Sequence, residues 1–174
     1  MQAYPHTNVM EAAFGAGCFW HVEHEFAKLP DVKATSGYMG GSTKSPTYEQ
    51  VCTGRTGHAE TVHLDFVPKT VPYERLLRTF WGMHNPMEKD RQGPDIGNQY
   101  RSVIFYYTSD QKKKALASKK MVEEALGKKV ATEIVPAKTF WRAEACHQQY
   151  FKKYPGRACA MSAIDAVVKA VKKL

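Results

Sequence analysis

Apolar residues recur along this chain at two spacings, every second residue or every third to fourth, and the switches between them predict its elements. Val9 to Ala16 reads as a first strand. Phe19, Val22, Phe26 and Leu29 then follow at helical steps until Pro30 stops the pattern, so a helix is predicted to start just after Cys18. Val32 to Tyr38 reads as a second strand, and Gly37, Gly40, Gly41 and Ser42 break it into a loop. Thr47 to Val51 reads as a short extended piece. Glu60, Val62, Leu64 and Phe66 alternate with Thr61, His63 and Asp65, which predicts a strand with one apolar face, ended by Pro68. Pro72, at a first helical position, opens a helix with Leu76, Leu77, Phe80 and Trp81 on one side. Residues 84–99 are rich in Pro, Gly, Asn and Asp and form a long loop, of a length usually kept for function. Tyr100 to Tyr107 is apolar on both faces, as in an interior strand. Ser109 caps a helix that runs through Leu126 to Gly127. Val130 to Val135 is a further strand, residues 142–154 read as a helix broken by Pro155-Gly156, and Met161, Ile164, Val168 and Val171 mark a last amphipathic helix.

Strands and helices alternate, with pairs of strands adjacent in sequence. The fold class expected is therefore α/β (α+β), a two-layer sandwich with helices packed on a mixed sheet. At 174 residues the chain holds a real core and reads as one catalytic domain, 1–174, with a mobile C-terminal segment around 155–160. No apolar run approaches a membrane span, and the first residues lack a basic stretch followed by an apolar one. No membrane partner is expected, and the expected location is cytoplasmic.

Charge changes the picture less than its total suggests. The net +8 divides into −1 over residues 1–108 and +9 over residues 109–174, mostly from lysine pairs and one triplet. A basic half invites a nucleic-acid reading. Few arginines or aromatics are interleaved with these lysines, so a solvated helix face is preferred and no nucleic acid is expected. The four cysteines, Cys18, Cys52, Cys146 and Cys159, contain no CxxC pair. That argues against a zinc site or a disulfide framework, and for thiol chemistry in a reducing compartment with no metal.

Cys18 is the strongest chemical candidate. It sits at a predicted helix N-terminus, where unpaired N–H groups favour thiolate over thiol. Gly15 and Gly17 allow close backbone approach, and Phe19 and Trp20 could wall an apolar pocket. A buried cysteine between strand and helix is the competing reading. Glu60 falls by alternation on the buried face with Val62, Leu64 and Phe66. Desolvation raises the pKa of such a carboxyl and would fit it to give up a proton near neutral pH. A strand-end glutamate that reaches water is the alternative.

Gly17-Cys18-Phe19-Trp20 resembles the signature of the A-type peptide methionine sulfoxide reductases. Gly37-Tyr38-Met39-Gly40-Gly41, Tyr48 to Gly54, Gly57-His58-Ala59-Glu60, Arg91 to Asp95 and Gln99-Tyr100-Arg101-Ser102 follow in that family's order, over roughly residues 9–159. The resemblance implies a ferredoxin-like sheet and reduction of the S epimer of methionine sulfoxide, free and in proteins. It implies Cys18 as nucleophile, Glu60 as acid, and Tyr48 and Tyr100 as phenol donors. Phe19 and Trp20 become the seat of the S-methyl group, and Asp95 the partner of the substrate backbone or of a bridging water. No cofactor is implied. The Cys18 sulfenic acid would be resolved to a disulfide that thioredoxin, or dithiothreitol in vitro, reduces. Cys159, in Tyr154-Pro155-Gly156-Arg157-Ala158-Cys159, is the resolving candidate. Cys146, expected on a helix, is the alternative, and Cys52 is expected to be a buried small hydrophobe. A monomer is expected.

Two other classes stand beside this one. A peroxide-reducing thiol enzyme would want a cationic partner near Cys18, where the sequence offers His21, Glu23, His24 and Glu25. A nucleic-acid module would show salt-dependent binding that survives loss of Cys18.

Overall fold

The computed structural model describes residues 8–157 and 162–174. The strands among them are β1 (Met10–Ala16), β2 (Val32–Met39), β3 (Ala59–Phe66), β4 (Arg91–Gln92), β5 (Asp95–Ile96), β6 (Ser102–Tyr106), β7 (Glu133–Pro136) and β8 (Trp141–Arg142). The helices are α1 (Phe19–Phe26), α2 (Tyr48–Cys52), α3 (Tyr73–Gly82), α4 (Ser109–Leu126), α5 (Tyr150–Lys153) and α6 (Asp165–Val171). Six strands form one sheet in the order β7-β6-β1-β3-β2-β8, while β4 and β5 make a separate small hairpin. Only the β6–β7 pair is parallel, so the sheet is mixed, as expected.

Alternation decides which face the helices cover. Ala12, Phe14 and Ala16 of β1, Val62, Leu64 and Phe66 of β3, and Ile104 of β6 join the apolar residues of α1, α3, α4 and α6 in one core. Phe14 lies at its centre, with ring centroids 5.1 Å from Phe26 and 5.3 Å from Phe80. Burying such a side chain stabilises by about 1.5–3 kcal/mol. The other face carries only a small cluster of Ala13, Met39, Ala59, Val103 and Phe105, with no helix residue in it. The result is the expected two-layer arrangement of a mixed sheet with helices on one side.

Several elements differ from the sequence reading, each for a local reason. Residues 48–52 are helical rather than extended, because Thr47 and Gln50 form a capping box: the Gln50 N–H donates to Thr47 Oγ1 at 3.3 Å, and the Thr47 N–H to Gln50 Oε1 at 3.0 Å. Tyr100 closes a 3₁₀ turn, Asn98–Tyr100, and the strand begins only at Ser102. Thr108, not Ser109, caps α4 by accepting from the Gln111 N–H at 3.1 Å. Pro72 is the cap before α3 rather than its first residue. The predicted helix over 142–154 is instead the strand β8, a 3₁₀ turn at Ala145–His147 and the short α5, which Gln149 separates by adopting a left-handed conformation with φ 50°. Met161, expected in the last helix, lies outside the described residues.

Candidate active site

The sheet register places β3 between β1 and β2, and so brings Glu60 beside the turn that leaves β1. Gly17 makes that turn with φ 92°, a conformation natural only to glycine. Cys18 follows as the N-cap of α1, half-buried. The next N–H, that of Phe19, is one of the helix's unsatisfied donors, and it donates to Glu60 Oε2 at 3.0 Å. Glu60 is 2% exposed. The expected buried carboxyl is therefore present, and it lies against the residue that follows Cys18. Gly15 has a different role from the one expected: a Cβ there would lie 2.8 Å from Val103 and 3.0 Å from the Glu60 carbonyl, so its smallness serves strand packing.

Two phenols on separate elements feel the charge of this carboxyl. Tyr48 is the first residue of α2, and Tyr100 ends the 3₁₀ turn after the β4–β5 hairpin. The loops beneath them are tied together. The Asn98 amide donates to the Gly54 carbonyl at 2.9 Å, and Arg101 donates to the carbonyls of Asn98 and Gly57, each at 3.0 Å. Burial pushes both phenols above their ordinary pKa, and the Glu60 charge pushes them further. Cys52, Asp95 and Cys18 raise the Tyr100 pKa in the same direction. Both tyrosines therefore stay protonated at neutral pH and can donate. Asp95, in β5, is half-buried, and burial raises its carboxyl pKa.

Phe19 and Trp20 diverge. Phe19 is 1% exposed, with its ring against Tyr38, Tyr48 and His147 at centroid distances of 5.8, 6.4 and 5.3 Å. Trp20 stacks face to face on Tyr150 at 3.7 Å and donates from Nε1 to His147 Nδ1 at 3.1 Å. His147 Nδ1 thus accepts, and burial lowers the pKa of this ring. Its centroid is 4.4 Å from that of Tyr48.

Sequence reasoning assigned no role to Glu144, His147 and Gln148, which position the others. Glu144 accepts from the Tyr38 hydroxyl at 2.7 Å and from the Tyr48 N–H at 2.8 Å. Burial acts to raise its pKa, but these hydrogen bonds outweigh it and the net shift is downward. The Gln148 amide spans the edge of β2, accepting from the Ser36 N–H at 3.0 Å and donating to the Ser36 carbonyl at 2.8 Å. The signal available was the family-like stretch from Ala143 to Gln148, read for its cysteine rather than for its polar neighbours.

The remaining thiols correct two expectations. Cys146 is exposed on the Ala145–His147 turn, not on a helix. Cys52 is exposed rather than buried, at the end of α2. Cys159 lies outside the described residues. Among the described helices, none is long and apolar enough to cross a membrane.

Comparison with known proteins points the same way. The family described as peptide methionine sulfoxide reductase matches residues 10–174. A relative from Methanoculleus marisnigri, peptide methionine sulfoxide reductase MsrA, is 52% identical over 158 residues, covering 89% of this chain and 96% of its own. The crystal structure of reduced Mxr1 from Saccharomyces cerevisiae superimposes with a TM-score of 0.85 at 32% identity, over 94% of this chain and 96% of that one. The structure of Mxr1 in complex with Trx2 shares the fold, with a TM-score of 0.60 at 22% identity over 92% of each chain.

Proposed function

The chain belongs to the peptide methionine sulfoxide reductase family and is an oxidoreductase of that activity; on this premise we propose that it reduces the S epimer, free and in proteins, through Cys18, Glu60 and Cys159. The observation that carries this reading is the hydrogen bond from the Phe19 N–H to Glu60 Oε2, which holds a buried carboxyl beside the candidate nucleophile.

The Cys18 thiolate attacks the sulfoxide sulfur, favoured as an anion by the N-terminus of α1. Glu60 gives a proton to the sulfoxide oxygen. The attack forms a bond between Cys18 Sγ and the substrate sulfur. The protonated oxygen then leaves that sulfur and a hydroxyl joins Cys18 Sγ as the S–S bond breaks, so methionine departs with the electron pair of that bond and Cys18 ends as the sulfenic acid. Tyr48 and Tyr100 donate their hydroxyls to the oxygen as its charge grows. Phe19 and Trp20 seat the S-methyl group, and Asp95 receives the substrate backbone. The Cys159 thiol then displaces water from the sulfenic acid to form a Cys18–Cys159 disulfide, which thioredoxin reduces by exchange. The Mxr1 complex with Trx2 supports a protein reductant of this kind. One chain supplies every group in the scheme and no cofactor takes part. A single catalytic domain fits it.

Incubation with each epimer and dithiothreitol tests the reading. Methionine is expected from the S epimer only, and none from Cys18→Ser with any reductant. Equal turnover of the two epimers would overturn the stereochemical assignment.

A further inference from the structure

One face of α1, bearing Trp20, Glu23 and Ala27, borders a groove of about 550 Å³ whose other walls are the edge of β2 and the residues of α5. That is the size of a small-ligand pocket, roughly 300–1,000 Å³. Three features make it a built site.

The first is an open strand edge. β8 pairs with β2 only at Gly37 and Tyr38. At Ser36 the Gln148 amide stands in for a strand, taking both backbone groups. By the two-residue period, Ala34 presents its N–H and C=O on the same side as Ser36. Val32 and Ala34 line the groove, and no described strand pairs with them there. The second is the floor. Glu23 is 2% exposed; its Oε2 accepts from Ser36 Oγ at 3.1 Å and from the Gln149 N–H at 2.8 Å, while its buried Oε1 has no partner among the described residues. An unpartnered buried acceptor is costly, and a ligand donor would satisfy it. The third is charge: Lys28, Lys33 and Lys152 line the groove, with Glu23 as the one carboxylate among its lining residues. Lys28 and Lys33 also reach Glu25 at 2.6 Å and Asp65 at 3.8 Å, exposed pairs that a ligand carboxylate can exchange.

Trp20 joins the groove to the Cys18 site, since its indole N–H reaches His147, whose ring lies against Tyr48. Resting on the sulfoxide reading of that site, we propose that the groove seats an extended acidic segment of the oxidised protein substrate. The segment adds as a strand to the Val32–Ala34 edge of β2 and gives an N–H to Glu23 Oε1. It sets carboxylates against Lys28 and Lys152, and an apolar side chain against Trp20 and Phe151. The methionine sulfoxide lies at the Trp20 end.

The test uses Cys18→Ser, which binds without turnover, and two fluorescent nonapeptides. Each carries one methionine sulfoxide, flanked by alternating valine and glutamate in one and by valine and lysine in the other. Anisotropy should show tighter binding of the glutamate peptide. Adding Lys28→Glu and Lys152→Glu should weaken it about 5-fold, the scale of two exposed ion pairs. Ala34→Pro, which removes an edge N–H at a position where proline is tolerated, should weaken both peptides. In the otherwise wild-type enzyme the charge reversals should leave turnover of free methionine sulfoxide unchanged. Equal affinity for the two peptides, or no response to charge reversal, would overturn the groove. A wild-type enzyme that reduced neither free nor peptide sulfoxide would overturn the chemistry at Cys18 instead, and the anisotropy would still judge the groove.

Discussion

Two roles meet in the Glu60 carboxyl. It caps the first turn of α1 through the Phe19 N–H, and in the proposed reaction it delivers the proton. Glu60→Gln separates them, because an amide oxygen still accepts from that N–H but the amide is no acid. The variant should keep its near-UV circular dichroism while single-turnover reduction slows by ~10²–10⁴-fold, the usual contribution of a general acid. A rate within a few-fold of wild type would mean that another group protonates the oxygen. Alternation alone placed Glu60 on the buried face, since side-chain direction along a strand is local. The partner N–H was not legible, because it comes from a residue 41 positions away. Tyr48 was legible only through family resemblance. The Thr47-to-Gln50 capping signature was nonetheless present in the sequence and would have turned residues 48–52 into a helix.

Among the elements, the stretch after β8 departs most from its sequence pattern. Its anchoring side chains are polar, the exposed Glu144 and the buried His147 and Gln148, and they hold it by long-range hydrogen bonds to β2, α1 and α2. Cys146 sits between these anchors. The helix expected to hold it still is absent, yet the turn is pinned on both sides. A disulfide needs Cα atoms within about 7 Å, and any displacement of Cys146 to form one would break several of those bonds. Cys159→Ser should therefore keep dithiothreitol-driven turnover and lose most thioredoxin-driven turnover, while Cys146→Ser changes little in either. Peptide mapping after one equivalent of substrate checks this, and a dominant Cys18–Cys146 bridge would exchange the two assignments.

For the whole molecule, the buried His84 links the fold to pH. Its ring lies 2.8 Å from the Phe80 carbonyl through Nδ1 and 2.7 Å from Ser102 Oγ through Nε2, and burial pushes its pKa down to about 4. The unfolded chain takes up this proton below about 6.5, the native state only near 4, so the stability is full above 6.5 and is lost as pH falls between the two values. The full effect is about 3 kcal/mol. Urea unfolding at pH 7, 5.5 and 4.5 should show the decline, and His84→Gln should flatten it; an unchanged slope in the variant would place the loss elsewhere. The sequence by itself determined the order of most strands and helices, the buried face of β3, and the candidates for nucleophile and acid. These depend on side-chain period and residue chemistry, which are local. Only the tertiary structure decided how the site closes. Trp20 and His147 lie 127 residues apart, and strand order and long-range hydrogen bonds, which no local pattern encodes, bring them together beside Tyr48.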